Sequence, residues 1–364
     1  MRILYVTTIG ATMVFFEKLI RELIAEGHTV DIANGDSGAP VPSCYGEWGC
    51  HVYHLSCSRS PLSWGNVKAV RQIRRLAEGQ AYDIVHCHTP VAAACTRLAC
   101  RKLRGNGLRV FYTAHGFHFY KGSPILNWLV YYPIERLCSR WTDTLVTINQ
   151  EDYGRAQRFK TESVVLVLGV GLDREKFHEG LLGEEERSLK RGLMGLAPDD
   201  VLILSVGEVN ANKNHKLVID ALVNLKDERF RYFVAGEGPL LGDLRRYSES
   251  LGLGHRVSFL GRREDVAELY SIADYYVHPS FREGLPVSLM EAVSSGTYAL
   301  ASDIRGCRDI LPGVRLFSPR SPDSLVDLIR AGEASSRKND LKLDEKFYLE
   351  SVISVMRTIY ATSG

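Results

Sequence analysis

Val201-Leu202-Ile203-Leu204-Ser205-Val206-Gly207-Glu208-Val209-Asn210-Ala211-Asn212-Lys213-Asn214-His215 is a short apolar run, a glycine and a polar loop, followed by Leu217, Val218, Ala221 and Leu222 at helical spacing. A run this short, apolar on both alternating faces, predicts a strand buried on both sides. A strand that turns through glycine into an amphipathic helix is the repeating unit of a parallel α/β sheet.

Working outward, the unit recurs in both directions. Ahead of it, strands are predicted at 2–8, 29–34, 52–55, 83–88, 109–114, 144–148 and 164–168; after it, at 232–235, 257–260, 275–278 and 298–301. Helical patterns fill the gaps, as with Phe15, Leu19, Ile20, Leu23 and Ile24, closed by Gly27 as a C-cap. The segment Gly169-Val170-Gly171-Leu172-Asp173 separates the two rounds, and its two glycines suit a hinge. The expected architecture is two doubly wound Rossmann-like parallel-sheet domains, 1–168 and 169–344, facing one cleft. Ligands of such sheets bind beyond the carboxyl ends of the strands, so the post-strand loops carry the functional information.

Composition narrows the classes. The 364 residues are 45% hydrophobic and 24% charged, which excludes disorder, collagen-like repeats and low-complexity architectures. A net charge of +2 is too balanced for a chain living on nucleic acid. The halves differ: residues 1–168 hold 19 Lys and Arg against 13 Asp and Glu, the remainder 26 against 30. Apolar runs such as 125–134 are near ten residues and broken by Asn127, too short to span a bilayer. The start, Met1-Arg2-Ile3-Leu4-Tyr5-Val6, has a strand pattern and lacks the features of a signal peptide, so a cytoplasmic address is expected. Seven of the eight cysteines precede residue 139 without C-x-x-C spacing, and they are read as reduced thiols. His86-Cys87-His88 puts two histidines on one strand face; it is read as an ordinary polar strand end, and no metal site is expected.

Two loops carry chemistry. In the first, Gly207 and Lys213 precede a helix, offering backbone N–H groups, a positive dipole end and an ammonium to an anion such as phosphate. Taken alone it is equally a solvated loop with Asn214 as N-cap, since G-x-x-x-x-G-K-[ST] is absent. The second runs Pro279-Ser280-Phe281-Arg282-Glu283-Gly284-Leu285-Pro286-Val287-Ser288-Leu289-Met290-Glu291-Ala292. Pro286 at N1 opens a helix, leaving Glu283 in the loop and Glu291 in the second helical turn. Such a bracket suits a sugar nucleotide: one carboxylate accepts from ribose hydroxyls, the helix amides face the diphosphate, and the other carboxylate reaches the sugar. Two surface glutamates favoured by the helix dipole are the plainer reading.

Together, Val206-Gly207 with Lys213, Ala235-Gly236-Glu237-Gly238-Pro239, Phe259-Leu260-Gly261, Ala273-Asp274, Pro279-Ser280 and Glu283 eight residues before Glu291 resemble the C-terminal domain of family 4 retaining glycosyltransferases, which have the GT-B fold. The first half is similar through Gly10, Thr113-Ala114-His115-Gly116 and Val170-Gly171-Leu172-Asp173 with Lys176-Phe177. The segments 283–288 and 302–307 most resemble bacterial enzymes that extend lipid-linked oligosaccharides, exopolysaccharide or capsule.

The resemblance implies a role for each position. Lys213 would hold the donor diphosphate, Glu291 the ribose and Glu283 the donor-sugar hydroxyls, while His115 would sit beside the transferred sugar. Gly10, Gly207, Arg262, Gly284, Leu285, Val287 and Ser288 would complete the donor site, with Arg262 near the base. The donor expected is a uridine diphosphate sugar and the acceptor a lipid-linked saccharide held by the first domain, to which the helix in 345–364 would return. No D-x-D occurs, so neither metal nor cofactor is expected. One departure stands out: the family usually has arginine directly after the glycine, and here Glu208 stands beside the expected diphosphate, with Lys216 or Arg282 as compensating cations. A sugar-nucleotide epimerase of the same fold and a non-catalytic carbohydrate- or nucleotide-binding module are the alternative readings.

The basic half predicts a partner too. Arg97, Arg101, Lys102, Arg104 and Arg109 form an acid-free run; Lys68, Arg71, Arg74 and Arg75 form a second cluster. Together with His118 and the aromatic-aliphatic stretch Phe119, Tyr120, Ile125, Leu126, Trp128, Leu129, Tyr131 and Tyr132, these residues are expected to meet the acceptor or an anionic membrane, giving a peripheral location on the inner face of the plasma membrane; an exposed basic helix beside an ordinary core helix is the plainer reading.

Overall fold

The computed structural model describes residues 1–35, 38–334 and 341–362. The chain divides into two compact units, one of residues 1–170 with 350–364, the other of residues 171–349. Each is built on one wholly parallel sheet.

In the first unit the strands are β1 (Arg2–Thr7), β2 (Thr29–Gly35), β3 (Val52–Leu55), β4 (Ile84–His88), β5 (Arg109–Ala114), β6 (Thr144–Thr147) and β7 (Ser163–Leu166), in the order β3-β2-β1-β4-β5-β6-β7. Ile3, Leu4, Tyr5 and Val6 are wholly buried because β1 is covered on both faces, which the continuous apolar run demands. In the second unit they are β8 (Val201–Val206), β9 (Phe230–Ala235), β10 (Val257–Gly261), β11 (Tyr275–His278), β12 (Tyr298–Ser302) and β13 (Leu316–Phe317), in the order β10-β9-β8-β11-β12-β13. β13 was not predicted: two residues paired with Ala301 and Ser302 are too few for periodicity to register.

Strand order reverses between β1 and β4 and again between β8 and β11, and at such switch points adjacent loops diverge and leave a crevice. The carboxyl ends flanking them are Thr8 to Gly10 with His88 and Thr89 in one unit, and Gly207 with His278 and Pro279 in the other.

The helix Leu349–Ala361 packs into the first unit. Its Tyr360 hydroxyl lies 2.6 Å from both the Tyr5 hydroxyl and His86 Nδ1, wholly buried. Both backbone positions flanking Val170 are glycines at positive φ, Gly169 at 84° and Gly171 at 85°. At Gly171 a Cβ would also meet the Leu349 backbone at 2.5 Å.

Candidate active site

At the second unit's switch point β8 is followed by Gly207, whose φ of +145° only glycine adopts readily, with the Lys213 side chain lying close over it. A Cβ on Gly236, at the end of β9, would overlap the Gly207 carbonyl, so two bare backbones pass each other here. The loop then folds on itself: the Lys213 amide donates to Asn210 Oδ1 at 3.0 Å. It is also stitched to the loop after β11. Asn212 Nδ2 donates to the Arg282 carbonyl at 2.9 Å and the Phe281 amide to the Asn212 carbonyl at 2.8 Å. Asn214 occupies the N-cap position of the helix His215–Leu225, but its side chain donates to the Pro279 and Pro319 carbonyls instead of capping.

This stitching brings the two predicted charged residues together. Lys213 Nζ donates to Glu283 Oε1 at 2.8 Å. The same oxygen lies 3.2 Å from His278 Nε2, and His278 Nδ1 lies 3.0 Å from the Tyr276 hydroxyl, which reaches Ser288 Oγ at 2.8 Å. Burial alone would raise the Glu283 pKa, but the hydrogen bond and charge of His278 and the charge of Lys213 override it and hold the carboxyl well below the usual range. Glu283 is therefore an ionised acceptor at neutral pH.

Glu291 lies in the helix Val287–Ser294, one turn beyond Pro286, which takes the N-cap position rather than N1. Its Oε2 accepts from the Tyr270 hydroxyl at 2.8 Å, which fixes the carboxyl while its other oxygen remains available. Here burial wins: the Glu291 pKa is raised, the Tyr270 hydrogen bond opposing only in part. Val287 and Ser288 are the first helical residues, so their amides lack intrahelical acceptors. Leu285 is buried beside them, and the Gly284 carbonyl abuts Gly306, where any Cβ would collide with it. Arg305 Nε donates to the Glu283 carbonyl at 3.0 Å, holding the loop from behind.

Glu208 is exposed. Lys216 does not compensate it, being committed to Asp220 at 2.8 Å and to the Tyr247 hydroxyl; Arg282 remains exposed in the stitched loop. Arg262 is exposed, whereas its neighbour Arg263 is bound to Asp265 at 2.6 Å.

In the first unit, Thr89 sits at φ 64°, unusual for a β-branched residue, and is held there by a 2.7 Å contact between its hydroxyl and that of Thr8. Gly10 is bare because loop 39–41 runs against it; a Cβ would meet the Val41 amide nitrogen at 2.5 Å. His115 follows β5 with an exposed edge, and its Nε2 lies 3.1 Å from His88 Nδ1. His88 in turn stacks between His86, Phe16 and Tyr5. Burial lowers all three histidine pKa values, to about 3 for His86, so the group is neutral at pH 7. His86 has both ring nitrogens engaged, by Tyr360 and by Thr113 at 2.8 Å.

Of the residues expected at the acceptor or a membrane, Arg97, Arg104 and Trp128 require correction. Arg97 is buried in the helix Pro90–Cys100, its Nη1 bonded to Glu135 Oε2 at 2.8 Å and its guanidinium 4.2 Å over the Tyr112 ring. Arg104 is bonded to Asp143 and Glu162. The run is acid-free in sequence only: the partner acids arrive from other elements, leaving Arg101 and Lys102 as its exposed cations. Trp128 faces inward, packed on Phe119 and Tyr132, and His118 stacks on Tyr131 at 4.6 Å. Sequence reasoning took His88 for an ordinary strand-end residue and did not single out His278, Tyr276 or Tyr270. The first two stand at strand carboxyl ends, where the switch-point rule would have found them; the tyrosines carry no such signal.

Comparison with known proteins gives consistent results. The family described as "Glycosyl transferases group 1" matches residues 188–347, and the "Glycosyl transferase 4-like domain" matches residues 10–170. EpsD of Bacillus subtilis is 39% identical over 263 residues, 71% of this chain and 68% of that protein. The UDP-Gal:alpha-D-GlcNAc-diphosphoundecaprenol alpha-1,3-galactosyltransferase of Escherichia coli is 27% identical over 248 residues, 66% of this chain and 63% of that one. Anabaena Alr3699/HepE, solved in complex with UDP, superposes over the full length of both chains with a TM-score of 0.81 at 16% identity, a likeness of GT-B fold.

Proposed function

The chain belongs to the group 1 glycosyltransferase family, and from that premise we propose that it transfers a hexose or N-acetylhexosamine, with retention, from a uridine diphosphate sugar to a lipid-linked saccharide. The observation that carries this reading is the arrangement of Lys213, Glu283 and Glu291 around the start of one helix.

Each group has work to do. Departure of the nucleoside diphosphate builds negative charge, which an ammonium and preorganised helix amides stabilise more in the transition state than in the ground state. Glu283, ionised and held by His278, accepts from donor-sugar hydroxyls. When it does so, Lys213 is released to the diphosphate. Glu291, oriented by Tyr270, accepts from the ribose. The chemistry needs no metal, because Lys213 and the helix N-terminus supply the positive field. His115 offers a neutral ring to the transferred sugar, in an orientation limited by His88.

The acceptor class is supported by the E. coli galactosyltransferase named above, whose name specifies a diphosphoundecaprenol-linked acceptor. The test is a panel of UDP- and GDP-sugars read first by protection against thermal unfolding. The protecting donor is then supplied with undecaprenyl-diphosphate-linked sugar acceptors, and the product anomer is assigned by NMR. A UDP-sugar that protects and yields an extended lipid with the donor's anomeric configuration supports the proposal; protection without transfer to any lipid-linked acceptor contradicts it.

A further inference from the structure

The helix Ile125–Cys138 is apolar on two opposite sides. Inward, Trp128, Tyr131 and Tyr132 pack on the first unit's core. Outward, Ile125, Leu126 and Leu129 are 77%, 68% and 68% exposed, and Ile134 and Leu137 continue the row. At about 100° per residue these five positions span one half of the helix circumference. A helix on the surface of a soluble domain buries one apolar stripe and turns polar residues outward; this one turns a second apolar stripe to water. Single exposed leucines need no explanation, but a contiguous row does.

Cations outnumber acids around the row, where Asp143 and Glu162 are both taken up by Arg104. Arg136 interrupts it and Arg140 follows it, both exposed. The exposed Arg101 and Lys102 lie at the same end, where Arg104 donates to the Arg140 carbonyl at 2.9 Å and Arg101 sits 5.7 Å over the Trp141 ring. Glu135, the one acid in the helix, is buried against Arg97. A second apolar feature lies on the same rim. Leu62 and Trp64, 92% and 89% exposed, precede the helix Gly65–Gly79, which carries the exposed Lys68 and Arg71. Crossover helices run antiparallel to the strands they follow, so both helix N-termini lie at the strand carboxyl ends, as does His115.

We propose that this face docks on an anionic lipid bilayer, with the helix Ile125–Cys138 lying in the plane of the interface, its aliphatic row in the acyl boundary and the cations on lipid phosphates. A second copy of the chain is disfavoured as occupant. A two-fold interface sets a patch against itself, which would gather Arg101, Lys102, Arg136 and Arg140 of two copies around one apolar seam, with the neighbouring acids Asp143 and Glu162 already held by Arg104. The inference deepens the lipid-linked-acceptor reading by naming the surface on which that acceptor would be met.

The test compares the full chain with Leu126→Glu/Leu129→Glu and, as a control, Leu189→Glu/Leu193→Glu, the latter on exposed leucines of the second unit. All four positions are exposed, so all three proteins should melt alike. On vesicles of phosphatidylethanolamine with phosphatidylglycerol, the wild type and the control should sediment. The partition of the Leu126/Leu129 variant should fall roughly a hundredfold, from the loss of two apolar insertions. Part of the wild-type binding should survive ~1 M salt, which screens the cations but not apolar burial. Equal partition of wild type and the Leu126/Leu129 variant would overturn the proposal. So would a wild type that dimerises through this face and ignores the vesicles. Hydrolysis of the UDP-sugar without lipid is read in parallel: a wild type that binds vesicles yet neither hydrolyses nor transfers would defeat the glycosyl-transfer reading while leaving the docking surface standing.

Discussion

Lys213 Nζ and Glu283 Oε1 meet at 2.8 Å across 70 residues of sequence. Glu283 keeps its His278 contact when Lys213 leaves, so the lysine can exchange this partner for another without stranding the carboxylate. A diphosphate offers the lysine two neighbouring charges in exchange, and sugar hydroxyls offer the carboxylate new donors. In the proposed donor site the pair would be a closed state that donor binding opens.

Removal of these groups should weaken donor binding while leaving the fold intact. Lys213→Ala and Glu291→Gln should each raise the Kd for the donor by about 30- to 1,000-fold, the loss expected for one charge-assisted partner at about 2–4 kcal/mol. Calorimetric titration with the UDP-sugar, beside circular-dichroism melts, checks both halves of the statement. Unchanged affinity in a folded double variant would remove both residues from the donor site.

Donor affinity should fall in mild acid. Burial raises the Glu291 pKa above its ordinary value of 4.5, so its neutral form appears at higher pH than in an exposed glutamate, and a neutral carboxyl is the weaker acceptor for ribose hydroxyls. As pH falls through that raised value binding should weaken in the wild type, whereas Glu291→Gln should lack this step. Glu283 has the opposite sign. With its pKa depressed, its pairing contributes stability that is present above the unfolded value of 4.5 and is lost only as pH falls through the much lower folded value. Binding isotherms from neutral pH down to the onset of acid unfolding separate the two.

Chelation should leave transfer intact. If Lys213 and the amides opening the helix Val287–Ser294 carry the leaving-group charge, EDTA should not change the rate of product formation. Loss of activity restored by Mn²⁺ or Mg²⁺ would assign that charge to an ion instead.

Arg97→Leu should destabilise the first unit by about 3–5 kcal/mol, because Glu135 would be left in the core without its cationic partner. Arg101→Glu should change stability little, as its position is exposed. Urea unfolding followed by tryptophan fluorescence distinguishes the two.

Twelve of the thirteen strands among the described residues were legible because a strand covered on both faces must be continuously apolar, and the loops after β8 and β11 stood out because glycine, proline and charge interrupt that pattern. Spatial pairing was not legible. Nothing local says that Glu135 will neutralise Arg97 or that Asp143 and Glu162 will neutralise Arg104, so the cationic run overstated its exposed charge. Helical period misled in the same place. Trp128 and Tyr131 were read as interfacial along with Leu126 and Leu129, whereas only the aliphatics take the outer side and the aromatics pack inward. In a helix apolar all round, the pattern does not say which half will be covered.

The Tyr5–Tyr360–His86 contact sets an order of assembly during synthesis. Tyr360 leaves the ribosome after the entire 171–349 unit, so the β1–β4 part of the first sheet must wait, with one flank uncovered, until its last helix is made. The usual vectorial sequence, amino-terminal domain first, cannot run to completion here. The second unit, whose residues are contiguous, can close before the first one does, and a nascent chain stalled short of Tyr360 would present an unfinished polar and aromatic surface to chaperones or to other nascent chains.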